Sequence, residues 1–127
     1  MQDRHTFEYA IIRVVPKVER EEFFNVGVIL FSKRKKFLGI KFYINPDKWK
    51  AFSTEIELEL LEDYLNAWKL ICDGEPQGGK IGTFELSDRF RWLVACRSTI
   101  IQSSKTHSGL SEDPEKTLNE IFNTCVL

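Results

Sequence analysis

The sequence has few cysteines and histidines, and it lacks the short motifs of the common catalytic sites. Cys72, Cys96 and Cys125 form no CxxC pair, and the chain has only two histidines. No Cys/His cluster therefore has the spacing of a metal site, and we predict neither a metal nor a cofactor. An odd number of dispersed cysteines is typical of reduced, buried thiols. GxSxG, P-loop and HExxH motifs are also absent from the sequence.

Long apolar runs and a charge of one sign are missing as well. No apolar run approaches the roughly 18 residues that cross a bilayer, and Met1 to His5 have no apolar signal region. We therefore expect a cytoplasmic protein without a membrane span. Eighteen basic against 19 acidic residues give a net charge of −1, which argues against a generally basic nucleic-acid binder but leaves room for a local patch.

The length and composition predict one globular domain over residues 1–127. The chain is 43% hydrophobic and 13% aromatic, which is enough for one packed core. Segments 7–15, 23–32 and 37–44 read as three strands, the first ended by Pro16. The second segment is apolar on both faces apart from Asn25, as in a central strand covered on both sides.

The alternation of side chains predicts the register of the second and third strands. Their even positions are apolar: Phe24, Val26, Val28, Leu30, Leu38, Ile40, Phe42 and Ile44. Matching these faces requires an odd number of turn residues. The opposite face would then carry Asn25, Gly27, Lys41 and Tyr43, joined by Arg13 if Ala10, Ile12 and Val14 face the core. Gly27 indicates a bulge or a close backbone approach.

The sequence after the third strand predicts three helices and one short strand. Residues 45–49, "NPDKW", read as a turn, and 55–72 as the longest helix. The Gly-rich segment 73–82 is the best candidate for a mobile loop. Ser87 or Asp88 would cap a helix over 89–97, and 98–103 would form a strand. Asp113 before Pro114 predicts the start of the last helix, with its buried stripe at Leu118, Ile121, Phe122 and Cys125.

The order β-β-β-α-α-β-α predicts an α+β fold. Its sheet is largely antiparallel and is built on the N-terminal three-stranded meander, with about three helices packed on it.

The polar stretch from Arg97 to Pro114 is the first candidate for a site, and three interpretations remain open. It is a solvated Ser-rich loop, a binding loop, or a catalytic loop with His107 as general base. Serine, lysine and histidine side chains suit a phosphate, whereas the acidic residues at the helix start would repel one. The candidate binding residues in this stretch are Arg97, Ser98, Gln102, Ser103 and His107.

Two further groups each have a functional and a structural interpretation. Arg91 lies among Arg89, Phe90 and Trp92, a combination found both at interfaces and in structural cation–π or ion pairs. For Arg13 and Asn25, one interpretation is that both contact a ligand. The other is that Asn25 forms a structural hydrogen bond with Arg13 or with a loop carbonyl. The run Lys33 to Lys36 on the hairpin tip is a solvated turn or a contact for nucleic acid.

Two segments resemble a bacterial family of proteins of unknown function, DUF3037. They are "YAIIRVVPKVEREEFFNVGVILF" at 9–31 and "RFRWLVACRSTIIQSSKTHSGLSEDPEKTLNEIF" at 89–122, together somewhat under half of the chain. The resemblance implies no established activity. It implies a partner, because members of the family are often encoded beside or joined to a HipA-like kinase. It also implies that polar positions of both segments share one surface, among them Arg13, Asn25, Gln102 and His107.

Two functional hypotheses follow, with a third kept behind them. The first is an accessory protein that binds a protein partner, with a HipA-like kinase as the expected one. The alternative is an enzyme acting on phosphate esters or nucleic acid, with His107 as acid/base and Arg91 and Arg97 neutralising phosphate. The third is a nucleic-acid binder that uses Lys33 to Lys36, which we do not favour.

Overall fold

A computed structural model describes residues 4–16, 20, 22–52, 57–74, 78–95 and 101–127. The described part contains five strands and four α-helices, with a 3-10 turn at Ile81–Thr83. In chain order they are β1 (His5–Val14), β2 (Phe24–Ser32), β3 (Phe37–Phe42), α1 (Pro46–Phe52), α2 (Leu58–Asp73), α3 (Leu86–Leu93), β4 (Ile101–Ser103), β5 (His107–Ser111) and α4 (Pro114–Cys125). The predicted α+β class and the antiparallel meander are confirmed.

The sheet has the order β3-β2-β1-β4, with β5 also paired to β1, and all its pairings are antiparallel. β4 and β5 lie along the same edge of β1. Tyr9 faces His107 and Ile12 faces Ser103. Two residues of β1 between these pairs thus oppose three residues of the edge, so β4 and β5 form one edge strand interrupted by an extra residue.

Helices cover both faces of the sheet, as the two-sided hydrophobicity of β2 predicts. One core joins fully buried Ala10, Ile12 and Val14 to side chains of α2 and α3. The second core lies on the opposite face, where Val28 and Leu30 pack against Leu118 and Phe122 of α4. α4 packs mainly against β2 and β3. We call this second side the α4 face.

The predicted register of the β2–β3 hairpin is wrong. Val28 opposes Lys41 and Ile29 opposes Ile40, across a turn of four residues, Lys33 to Lys36. The prediction assumes that the even positions of β2 share one face, and an irregularity in the pairing of β2 with β1 removes that premise. Ile12 pairs with Gly27, but the next residue, Arg13, pairs with Asn25, so Val26 is extra. Alternation breaks there, and Val26 and Val28 enter different cores.

Gly27, next to this irregularity, lies where the backbones of β2 and β3 approach closely. A Cβ on Gly27 would lie 2.7 Å from the carbonyl oxygen of Lys41 and 3.0 Å from the Cβ of Phe42. The sequence prediction of a bulge or a close backbone approach is confirmed, and both occur together.

Residues 45–49, predicted as a turn, instead begin helix α1. The Asn45 Oδ1 accepts hydrogen bonds from the backbone N–H groups of Asp47 at 2.9 Å and Lys48 at 3.4 Å. This is an N-cap followed by proline at the first helical position. Asn-Pro-Asp is also a common turn sequence, so the local pattern alone does not separate the two structures.

Helices α2 and α3 meet through an arginine clamp. The Arg89 Nη1 donates to the carbonyls of Ile71 at 3.1 Å and Cys72 at 2.9 Å, at the C-terminal end of α2. Gly74 ends α2 in the left-handed conformation, with φ 70°. The N-cap of α3 is Glu85, not Ser87 or Asp88, which both lie inside the helix. Arg89 is therefore structural.

The segment from 107 to 111, predicted as part of a polar loop, is strand β5. Its side chains are mostly polar and exposed because the strand lies at the edge of the sheet, so it lacks the apolar alternation of a buried strand. The predicted start of α4 is confirmed: Asp113 is the N-cap, its side chain accepts from the backbone N–H of Lys116, and Pro114 follows. Of the predicted buried stripe, Leu118 and Phe122 are buried, whereas Ile121 and Cys125 are half-buried.

Candidate functional site

Three of the predicted site residues form a row across the sheet. Arg13 on β1 opposes Asn25 on β2 and Gln102 on β4. Directly opposed residues of neighbouring strands point to the same face. The Asn25 Nδ2 donates to the Cys125 carbonyl of α4 at 3.2 Å, which places the row on the α4 face. The conditional prediction that Arg13 and Asn25 share a face is confirmed.

Arg13 is half-buried and holds its guanidinium against an aromatic ring. Its Cζ lies 4.3 Å from the ring centroid of Phe23. Its Nε is buried and has no hydrogen-bond partner among the described residues. The ion pairs within that part of the chain do not include Arg13. Among the described residues, stacking on Phe23 is thus the contact that positions Arg13.

Asn25 and Lys41 serve to dock α4. Asn25 satisfies one of the last carbonyls of the helix, which have no partner within the helix itself. The Lys41 Nζ donates to the Asn119 Oδ1 at 3.0 Å and lies 5.0 Å from the ring centroid of Phe122. Asn25 therefore has the hydrogen-bond partner that its position requires, and its role is structural on this side.

His107 lies on the same face as Arg13, at the sheet edge. Its ring stacks on Tyr9 with centroids 5.2 Å apart and planes tilted by 34°. Tyr9 packs on the α4 side of the sheet, and His107 is exposed. The stack shows what orders this histidine: it is an aromatic contact between paired strands, while the imidazole edge remains accessible.

Arg91 lies on the other side of the sheet. Its guanidinium donates to both carboxylate oxygens of Glu8, at 2.7 and 3.1 Å. Glu8 and Tyr9 are consecutive in β1, so their side chains point to opposite faces. His107 and Arg91 are therefore separated by the sheet, and the phosphate-binding arrangement proposed for these two residues does not form. The other arginine of that arrangement, Arg97, lies outside the described residues, as does Ser98.

The serines after β4 shape the edge strand. The Ser104 Oγ accepts a hydrogen bond from the Ile11 N–H at 2.8 Å, and the Ser104 N–H donates to the Ile11 carbonyl at 2.8 Å. The Ser103 Oγ donates to the Ser104 carbonyl at 2.8 Å. Ser103 opposes Ile12, on the face away from Arg13. These serines bond the backbone at the interruption between β4 and β5.

Two aromatic residues of the site were missed at the sequence level. Phe23 is 46% exposed directly before β2, and Tyr9 is half-buried in β1. The signal for Phe23 was available, because a large aromatic beside the polar Asn25 does not fit the alternation of a covered strand. We call the following set the sheet-face surface: Tyr9, Arg13, Phe23, Gln102 and His107.

The basic hairpin turn is separate from this surface. Lys33 to Lys36 connect β2 to β3, with the Lys36 N–H donating to the Lys33 carbonyl at 3.2 Å. Lys36 adopts a positive φ of 52°, a conformation that favours glycine or asparagine. The turn projects from the end of the hairpin, so it adds no charge to the row at Arg13.

A cavity of about 490 Å³ lies elsewhere, where β5 leads into α4. Its lining mixes both signs of charge with small polar groups: Arg4, Leu110, Ser111, Glu112, Asp113, Lys116, Thr117 and Glu120. The acidic side chains already complement the start of α4, as the sequence predicts. This cavity contains none of the predicted site residues.

Fold and surface together define a small α+β protein whose antiparallel sheet carries a polar and aromatic surface beside α4. A family model described as "Protein of unknown function (DUF3037)" matches residues 9–126, and the chain belongs to this DUF3037 family. The match also spans the middle of the chain, which the resembling segments did not include. Comparisons with curated proteins and with solved structures found no match. Within the described ranges, no helix is both long and apolar enough to cross a bilayer.

Proposed function

We propose that this protein is an accessory protein that binds a protein partner through the sheet-face surface, and that the partner is a HipA-like kinase. The observation that carries the proposal is the grouping of Arg13, Gln102 and His107 on one face. Segments distant in sequence contribute these side chains, and α4 packs mainly on the other half of that face.

The composition of the surface supports a protein as the ligand. Arginine and aromatic side chains are enriched among the residues that carry most of the binding energy at protein interfaces. Phe23 is 46% exposed, and Arg13 stacks on it, so both can bury area without losing much rotamer freedom. The cytosolic setting expected from the cysteines and the kinase expected from the resemblance belong to the same proposal.

The test is a binding measurement between two purified proteins. The chain and a HipA-like kinase would be titrated by calorimetry, with Phe23→Ala as the surface variant. We expect the variant to bind at least tenfold more weakly, because loss of an aromatic anchor at an interface costs more than about 1.4 kcal/mol.

Arg91→Ala is the matched control, because Arg91 is an exposed arginine bound to Glu8 on the other side of the sheet. It should bind the kinase like the wild type. Absence of binding by the wild-type chain, or equal losses in both variants, would contradict the proposal.

A further inference from the structure

The outer edge of β5 is open to a further strand. β5 pairs with β1 along its inner edge, from His107 opposite Tyr9 to Ser111 opposite His5. In the described part of the chain, no strand pairs with its other edge. Every second residue of an antiparallel edge strand directs its backbone N–H and C=O groups outward, so this edge can bind the backbone of another chain.

The side chains of β5 do not protect this edge. Residues 107–111 include no lysine and no proline, the residues that commonly block edge pairing. Leu110 is 63% exposed, and an added strand would cover part of it. Gly109 at the centre has no side chain, because a Cβ there would lie 2.8 Å from the ring of Phe7. Another backbone can therefore approach the centre of β5 closely.

The charges at the two ends of β5 indicate which strand fits. Lys105 lies before the strand, Glu112 and Asp113 follow it, and all three are exposed. Their side chains take part in none of the ion pairs of the described residues. An antiparallel strand matches these charges when acidic residues follow it and a basic residue precedes it. β5 itself has this arrangement, so a second copy of the chain is complementary to the first.

Symmetry restricts the register of such a pairing. Two antiparallel copies of one strand are related by a two-fold axis perpendicular to the sheet, and opposed residues point to the same face. The axis therefore passes through a residue and not between two. With Gly109 on the axis all five residues of β5 pair, and Leu110 opposes Ser108 of the other copy. Lys105 then opposes Asp113, beside Glu112.

We propose that this chain forms a two-fold symmetric dimer by antiparallel pairing of β5 with β5 of a second copy. Gly109 lies on the axis, and Lys105 lies against Glu112 and Asp113 at both ends. Two five-stranded sheets thereby form one sheet of ten strands, with both sheet-face surfaces on the same side. The pairing covers only five residues, so the dimer is weak and dissociates readily to a chain whose β5 is held by β1 alone. The inference goes beyond the proposed function and needs no kinase.

The test is sedimentation equilibrium of the purified chain, up to the concentration of an NMR sample. We expect a reversible monomer–dimer equilibrium. The first variant is Lys105→Glu, and the second combines Glu112→Lys with Asp113→Asn, since asparagine is also a good N-cap for α4. Each variant places like charges at both ends of the pairing, so each alone should dimerise about tenfold more weakly.

An equimolar mixture of the two variants is the decisive sample. In the mixed dimer both charges are reversed at one end and unchanged at the other, so opposite charges meet at both ends. We expect the mixture to recover the affinity of the wild type to within about threefold, measured with a fluorescent label on one variant.

Lys33→Glu, an exposed lysine on the basic hairpin turn, is the matched control. It has the same net charge as Lys105→Glu, yet it should dimerise as the wild type does and recover clearly less affinity when mixed with the second variant. A wild-type chain that stays monomeric throughout, or a mixture that dimerises no better than its components, would overturn the dimer. Because the chain is measured alone, either result leaves the proposed kinase binding to its own test.

Discussion

The role of a residue in this protein depends on its surroundings and not only on its amino-acid type. Arg13, Arg89 and Arg91 are the same amino acid, yet one stacks on a ring, one caps a helix and one forms an ion pair. Their sequence neighbours do not distinguish them. The contacts that do are long-range, and Arg91 and Glu8 are 83 residues apart.

Cys72 gives a residue-scale prediction about pH. Its side chain is buried in the core, and this burial, reinforced by the neighbouring Asp73, raises the pKa of the thiol from its ordinary 9.0 to about 12. Between these values the unfolded chain loses a proton that the folded chain keeps. The free energy of unfolding should therefore fall by about 1.4 kcal/mol per pH unit above pH 9, with no contribution below it.

Denaturant unfolding of wild type and Cys72→Ala from pH 7 to 11 measures this effect. The variant should be less stable at neutral pH, because it leaves a small cavity, but it should lose the alkaline slope that belongs to the thiol. All other groups are common to the two proteins, so their contributions cancel in the comparison. Identical slopes in the two proteins would contradict the assignment.

At the scale of elements, the alternation of apolar residues in the sequence does not predict the irregularity in β2. Alternation in 24–32 and 37–44 predicts two paired strands correctly, but it presumes that both run without an extra residue. Val26 breaks that presumption on the side of β1, so the even positions of β2 do not all face one core, while the turn of four residues pairs Val28 with Lys41. A one-residue offset moves every later side chain to the other face, and the local composition does not show where such an offset occurs.

Strand β5 and helix α1 were missed for a different reason. Both lie where local signals agree with more than one structure: Ser-Gly-rich sequence suits an edge strand or a loop, and Asn-Pro-Asp suits a turn or a helix start. The α4 start was predictable because the cap, the proline and the apolar stripe agree. Of the site, the sequence predicts that Arg13 and Asn25 share a face, because they lie on strands that follow each other in the chain. The contact between His107 and Tyr9 could not be predicted, because it depends on the pairing of β5 with β1.

Gly27 gives the element-scale prediction. Gly27→Ala should destabilise the protein by about 2 kcal/mol, because the added methyl meets the Lys41 carbonyl oxygen at 2.7 Å, and backbone on a paired strand cannot move aside. Gly39→Ala is the matched control on β3. Its nearest atom, at 2.6 Å, is the end of the Phe37 ring, which can rotate away.

Thermal unfolding of both glycine variants beside the wild type measures the difference. The Gly27 variant should lose clearly more stability than the Gly39 variant. A smaller loss at Gly27 than at Gly39 would mean that the β2–β3 backbones do not approach as closely as described.

At the scale of the whole molecule, β1 and β2 are the shared wall between two hydrophobic cores. Ala10, Ile12 and Ile29 serve one core, and Val28 and Leu30 serve the other, all of them fully buried. The strands at the edge bury less apolar surface, and β5 is mostly exposed. Stability should therefore be distributed unevenly, with the centre of the sheet opening only on global unfolding.

Amide hydrogen exchange measured by NMR tests this distribution. The amides that join β1 to β2 should exchange slowest, at the rate of global unfolding, and those of β5 should exchange at least tenfold faster. β5 amides as protected as those of β2 would contradict the picture of an edge held from one side only.

The two extra residues in the sheet lie on either side of the same short stretch of β1. Val26 is extra opposite Ile12, and the segment 104–106 carries one residue more than Ala10 and Ile11 across from it. Bulges bend a strand and increase its twist, so we expect the sheet to bend along the line that joins the two. The Tyr9–His107 pair lies on one side of this line and the Arg13 row on the other. A straight, rigid helix could then contact only one of the two sides, whereas a bent loop or a twisted strand could contact both.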